Sequence, residues 1–172
     1  ALIKNRVLVE INWLIFMSQT KSLSFVPILS KNKETSLLKI IDEFSLKDAE
    51  QIKKIEAKTN HDVKAVEVFI GKKLESLNLK KYKEFVHLFC TSEDINNLSY
   101  NLMLKGYLDN EFKEINSLLL KDLKSKSKKW SKLSMLSFTH GQTASPTTLG
   151  KEIANFHERI KYHLNLLKSL NP

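Results

Sequence analysis

Three short polar segments place neutral, reactive side chains where a helix is about to begin: Asn60-His61-Asp62, Thr91-Ser92-Glu93-Asp94 and Thr139-His140-Gly141-Gln142. Imidazole is the side chain whose ordinary titration lies nearest neutral pH, so His61 and His140 are candidates for acid–base work. Hydroxyls such as those of Thr91 and Ser92, set beside the unpaired N–H groups of a helix start, can hold a carboxylate or a phosphate. Each segment also has a plainer reading, because Ser and Thr are ordinary N-caps and a histidine beside an acid is often a satisfied structural group. Three such segments in one chain weigh more together than any one alone.

Other constellations fail on spacing. His157 and His163 lie six residues apart, about 120° apart around a helix, and do not converge on a metal. Cys90, next to Phe89 behind an apolar run, reads as a small buried residue rather than a thiol paired with His87. Neither a G-x-G nor a G-x-x-x-x-G-K string occurs, which removes the glycine-rich nucleotide loops. Trp13 and Trp130 each sit on a helical stripe and read as core or interface residues.

The elements that must hold the three segments are helices. Ile3, Val7, Ile11, Leu14 and Ile15 recur at three- and four-residue spacing and predict a helix over 1–18, already running at Ala1, so the natural chain is expected to extend upstream. A loop over 19–34 and a short helix near 35–43 follow. Ser45 with Asp48 three residues later forms a capping box that opens a helix ending near Lys58. Asn60 or Asp62 caps the next, which runs through Val63, Val66 and Phe69 toward Leu74. After a connector over 78–90 with a short helical stretch, Thr91 and Ser92 start a long helix of some thirty residues, from Ile95 to Leu123. The polar loop 137–145 breaks the pattern, and Ser145-Pro146 predicts the cap and first residue of a last helix through Leu167.

Composition sets the frame. The chain has 172 residues, 42% hydrophobic and 27% charged, a balance that opposes disorder and allows a continuous core. Only 4 Gly and 3 Pro punctuate it, too few for a many-stranded sandwich or barrel. No apolar run is long enough for a membrane span, nothing reads as a secretion signal, and a lone cysteine suits a reducing, cytoplasmic compartment. The net charge of +9 fits a polyanion or a small substrate rich in carboxylate and phosphate. Arginine, favoured for reading bases and phosphates, occurs only at Arg6 and Arg159, which counts against nucleic acid. The lysines crowded over 121–129 read as a solvated helix end.

The segments 59–67, 90–98 and 139–142, with Ser145-Pro146-Thr147-Thr148-Leu149-Gly150-Lys151-Glu152, resemble in order the motifs of the adenylosuccinate lyases, all-helical homotetramers of the fumarase and aspartase superfamily. The likeness covers nearly the whole chain. Thr-His-Gly-Gln is shared with related lyases; Thr-Ser-Glu-Asp-Ile-Asn-Asn and Thr-Asn-His-Asp are specific to this subfamily. The resemblance implies an all-α fold and β-elimination of fumarate from adenylosuccinate, giving AMP, and from the succinyl-carboxamide ribotide of purine synthesis, with no metal or organic cofactor. It implies that His140 is the general acid, that His61 supports it, that Asn60, His61, Asp62, Thr91, Ser92 and Thr139 contact substrate, and that Gln142 is a weaker candidate.

The chain departs from that pattern in what it lacks. The family's catalytic serine lies in a loop reading roughly Ser-Ser-x-x-Met-Pro-x-Lys-x-Asn-Pro, and no such string occurs in residues 1–172. Phe138 stands where relatives often carry Arg, and Thr143 where Pro is frequent. The expectation is an amino-terminal portion of a lyase, inactive alone, with a helical domain over 1–90 and the first long helices of a bundle over 91–172. The alternatives are another fumarate-releasing lyase, a helical interaction module, a basic nucleic-acid-binding fragment, and a non-catalytic partner of a full lyase.

Overall fold

The computed structural model describes residues 1–169. The chain divides into two compact units, Ala1–Leu104 and a second beginning at Lys105. In the first, α1 (Leu2–Gln19), α2 (Lys31–Asp42), α3 (Leu46–Thr59) and α4 (Asp62–Ser76) are followed by a 3₁₀ turn (Lys80–Phe85) and then by α5 (Ser92–Tyr107), whose last residues cross into the second unit. Of the stripe anticipated for α1, Val7, Ile11 and Leu14 are completely buried, as is Met17, against Val66, Phe69, Ile70 and Leu74 of α4 and Leu37, Ile52 and Tyr82 around them, while Ile3 and Ile15 are partly buried. Burying one such side chain stabilises by roughly 1.5–3 kcal/mol, so this cluster dominates the unit.

A smaller apolar cluster bears on the polar segments. Val9 of α1, Val63 of α4 and Ile95 of α5 pack together with Leu8 and Cys90 around them. Val63 and Ile95 lie one and three residues inside their helices, so this contact seats both helix starts against α1. The local signals at these starts are direct. Ser45 caps α3 in a reciprocal box with Asp48. Asn60 ends α3 in the left-handed conformation at φ 53°, a role asparagine fills readily. The cap of α4 is neither Asn60 nor Asp62, as the sequence suggested: His61 Nδ1 accepts the Lys64 N–H at 3.1 Å. With Asn60 committed to closing the preceding helix, the residue left in extended geometry takes the cap.

The second unit holds a π-helical segment (Leu108–Phe112), α6 (Lys113–Lys129), a hairpin of β1 (Ser134–Thr139) and β2 (Gln142–Thr148), and α7 (Leu149–Ser169). The expected thirty-residue helix is thus interrupted. Asn110 donates to the Gly106 carbonyl at 2.7 Å just where the winding loosens. Two expectations are corrected here. The polar stretch 137–145 is no loop but an antiparallel hairpin whose tip is His140-Gly141, at φ 50° and 75°, the left-handed pair of a tight two-residue turn. Nor do Ser145 and Pro146 open α7: both lie in β2, Pro146 pairing with Leu136, and Thr148 Oγ1 accepts the Lys151 N–H at 3.2 Å as the cap. A two-stranded ribbon has only edges, where proline costs little, and β-branched Thr147 and Thr148 extend the strand to the first apolar residue, Leu149.

Gly150 fixes how α7 leaves the hairpin. Its N–H donates to the Trp130 carbonyl at 3.0 Å, and a Cβ there would stand 2.3 Å from the Ser127 carbonyl oxygen and 2.6 Å from the Ser131 backbone. Only glycine permits this approach of α7 to the end of α6.

Candidate functional site

Two of the three polar segments meet. His61, at the start of α4, and Ser92, at the start of α5, approach to 3.4 Å between Nε2 and Oγ, a long hydrogen bond across 31 residues of sequence. Because Nδ1 accepts the Lys64 N–H, the neutral ring carries its proton on Nε2 and donates it to Ser92 Oγ, leaving the serine hydroxyl proton free for an oxygen ligand. The His61 side chain is half exposed, so the ring edge remains open to a ligand. Asn60, His61 and Asp62 line an open depression with Lys53, Glu56 and Ala57.

Asp62 is held from the other side. Arg6 of α1 is buried, its Nη2 bonded to Asp62 Oδ2 at 2.5 Å and its Nε to Asn96 Oδ1 at 2.9 Å. One guanidinium therefore ties the first residue of α4 to the first turns of α5, a fork that lysine could not supply. Burial works to raise the Asp62 carboxyl, but the Val63 N–H and the charge and hydrogen bond of Arg6 outweigh it and hold the group below the usual carboxylate range. Asp62 is thus a fixed anion, tied to Arg6.

Thr91 has its hydrogen-bonding proton engaged. Its hydroxyl donates to Asp94 Oδ2 at 3.0 Å and its N–H to the same oxygen at 2.7 Å, half of a capping box. These bonds, backbone first, hold the Asp94 carboxyl below its ordinary range. The threonine oxygen can still accept, while Ser92 is the donor of the pair. Cys90, just before them, is half-buried, and burial together with the charges of Glu10 and Asp94 pushes its thiol up to about 11, so it is a poor nucleophile at neutral pH.

Sequence reasoning gave no site role to Arg6 or Glu10, and weighed His87 only as a thiol partner of Cys90. Arg6 and Glu10 are four residues apart on α1, inside the stripe that buries Val7, Ile11 and Leu14, and both are buried. Charged residues at core positions of an amphipathic helix were the available signal. His87, in the connector before α5, holds Glu10 Oε1 at 2.6 Å through Nδ1.

The third segment belongs to the second unit. Thr139 and Gln142 pair across the hairpin neck, His140 is at its tip, and all three are exposed. Ser137 Oγ bonds the Ser145 carbonyl, and Thr147 Oγ1 donates to Glu152 at 3.0 Å, closing the ribbon onto the first turn of α7. A tight turn presents the imidazole of His140 on a short, braced arm. Phe138, beside it, is exposed.

Among the described residues no group of three or more His, Cys, Asp or Glu is placed to hold a metal ion, and no helix is long and apolar enough to cross a membrane. A family model described as Lyase matches residues 14–172. The chain belongs to this lyase family. Its lyase relatives include the adenylosuccinate lyase of Buchnera aphidicola from Acyrthosiphon pisum, 43% identical over 98% of this chain and 37% of the relative. The enzymes of that name from Haemophilus influenzae and Escherichia coli K12 are 41% and 42% identical, over 98% and 93% of this chain and 37% and 35% of their own length. The chain therefore spans little more than a third of the curated lyases it matches. Among solved structures it is similar to a fumarate lyase from Mesorhizobium sp. BNC1 (TM-score 0.73, 17% identity, 98% of this chain and 37% of that one). The 3-carboxy-cis,cis-muconate lactonizing enzyme of Pseudomonas putida gives a TM-score of 0.74 at 17% identity, over 99% and 37%. At that identity these likenesses establish a common fold, predominantly helical, as the spacing of apolar residues indicated.

Proposed function

We propose that the complete protein containing these residues is an adenylosuccinate lyase, releasing fumarate from adenylosuccinate to give AMP and from the succinyl-carboxamide ribotide of purine synthesis. The observation that carries the reading is the approach of Ser92 Oγ to His61 Nε2, which joins the starts of α4 and α5. The relatives over 40% identical across nearly the whole chain support the choice of substrate.

In such an elimination a base removes a proton from the carbon beside a carboxylate, the carbon–nitrogen bond breaks, its electron pair leaves with nitrogen, and an acid protonates that nitrogen. His140 is the proposed acid, delivered on its turn. Ser92, with its free hydroxyl proton, and Thr91 at the start of α5 bind the succinyl carboxylate, where the helix end favours an anion. His61 holds Ser92 in place and, with Asn60 and Asp62, contacts substrate; Thr139 and Gln142 flank the acid. No string in residues 1–172 fits the family's serine loop, so the reading places the base outside them. Assembly as a homotetramer in the cytoplasm, without membrane or nucleic acid and without metal or organic cofactor, completes the proposal. Exposed Leu98, Leu102, Ile115, Leu118 and Phe156 support assembly, since a complete bundle would cover such side chains.

Fumarate release from adenylosuccinate by the complete chain tests this. Turnover should fall by roughly 10²–10⁴ in His140→Ala, the scale of a lost general acid. Unchanged turnover would remove His140 from the role, and no release from any succinyl compound would remove the lyase reading altogether.

A further inference from the structure

We infer that Glu10 is a positioning residue of the candidate site, acting through His87: its buried carboxylate orients the imidazole and holds the segment 87–89, left-handed at His87 and Phe89, that leads into Thr91 and Ser92. This rests on the lyase reading of that site.

Glu10 is fully buried on α1, and its Oε2 has no hydrogen-bond partner among the described residues. A carboxylate in such a place is costly, and an apolar side chain of similar length would fill the same volume without that cost. What the carboxylate does make is the 2.6 Å bond from Oε1 to His87 Nδ1. As an acceptor it fixes the neutral imidazole as the Nδ1–H tautomer and leaves Nε2 as the free ring nitrogen, the arrangement by which a carboxylate prepares a working histidine. The ring is largely buried, and its residue lies one turn ahead of the Thr91–Asp94 helix start, its carbonyl accepting the Cys90 N–H.

The backbone carries the same message. His87 and Phe89 both stand at positive φ, 65° and 64°, a conformation that residues with a Cβ rarely adopt without support. Support comes twice from α1: Glu10 bonds the His87 ring, and Trp13 Nε1 donates to the Leu88 carbonyl at 2.8 Å. The Cys90 N–H then donates to the His87 carbonyl at 3.1 Å and turns the chain toward α5. Charged or titratable groups facing the pair are Glu67 of α4, Cys90 and Asp94; burial first, then the charge of Glu67, raise the Glu10 carboxyl, while His87 opposes them. Arg6 and Glu10, one turn apart on α1, thus bond, respectively, the first turns of α4 and α5 and the segment that leads into α5.

The test uses the complete chain with Glu10→Met, Glu10→Asp, His87→Gln and the double variant Glu10→Met/His87→Gln. Imidazole ¹⁵N spectra should show the Nδ1–H tautomer at His87 in the parent and lose it in E10M, which has no acceptor, while E10D, which keeps the carboxylate, retains it in part. In fumarate release E10M should lower kcat about tenfold or more with a smaller change in KM, E10D should recover part of the loss, and E10M should add little to H87Q. Losses that multiply in the double variant, or activity that merely follows the folded fraction, would overturn the inference. An unchanged tautomer in E10M would do so even if the complete chain released no fumarate, an outcome that by itself counts only against the lyase reading.

Discussion

The first unit closes on itself; the second does not. Among residues 1–104, a core of fully buried Val7, Ile11, Leu14, Phe69, Ile70 and Tyr82 joins α1, α4 and the 3₁₀ turn. In the second unit, α6 contributes no buried residue and α7 only Gly150 and His157, while Ile115, Leu118, Phe156 and Tyr162 stand exposed. Both units have the apolar spacing of amphipathic helices, so spacing alone does not decide whether a stripe is satisfied. The first unit can carry its own stability and hold polar groups in fixed places, whereas the second has apolar faces still to cover.

The sharpest way to break this comparison is a pair of truncations. Phe69→Ala should lower the stability of the protein by about 3–5 kcal/mol in urea unfolding, and Leu118→Ala by no more than about 0.5 kcal/mol in the monomeric chain. Equal losses would show that the second unit has a core of its own. A larger loss for Leu118→Ala at high protein concentration would sharpen the contrast, locating its covering in a second chain.

Next in size, Gly150→Ala should cost about 1–3 kcal/mol, because the added methyl meets the backbone of Ser127 and Ser131 rather than a side chain that can swing away. Gly106→Ala is the control, since nothing lies within 4 Å of a Cβ there. Thermal melts that rank the two the other way would mean that α7 leaves the hairpin by a different path.

The smallest effect concerns the clip between α3 and α4. Burial tends to raise the Asp48 carboxyl, but the Lys73 ammonium at 2.9 Å and the Ser45 cap outweigh it and hold the group down to about 2. A carboxyl depressed in the folded state stabilises above its unfolded value and loses that contribution as pH falls through the folded one. Between about pH 4 and 2 the chain should therefore lose on the order of 1 kcal/mol, after allowance for solvent screening, that Asp48→Asn does not lose. Parallel acid titrations of the two proteins followed by circular dichroism would check it; coincident curves would mean that Lys73 and Ser45 add nothing.

Much of the fold around the candidate site was legible because its signals are local. The Ser45–Asp48 box, the acids after Thr91 and the helices through Val66 and Ile95 each depend on residues within a turn or two. The hairpin was missed although its signal was present: Met135, Leu136 and Phe138 before His140-Gly141 and β-branched threonines after it, in a stretch where a helical reading of the whole chain favoured a loop. Arg6 and Glu10 were missed because each works on partners 56 to 90 residues away, and no window on α1 contains them.

By itself the sequence determined the helical character of the chain, the capping box that opens α3, and which side chains could do chemistry, since periodicity and capping act over a few residues. Only the tertiary structure decided that His61 rather than its neighbours caps α4, that its ring reaches Ser92, and that Arg6 and Glu10, in the middle of an apolar helix face, bond Asp62 and His87. Those outcomes depend on which helix starts are brought together, and that is set by packing of Val9, Val63 and Ile95 between elements distant in sequence.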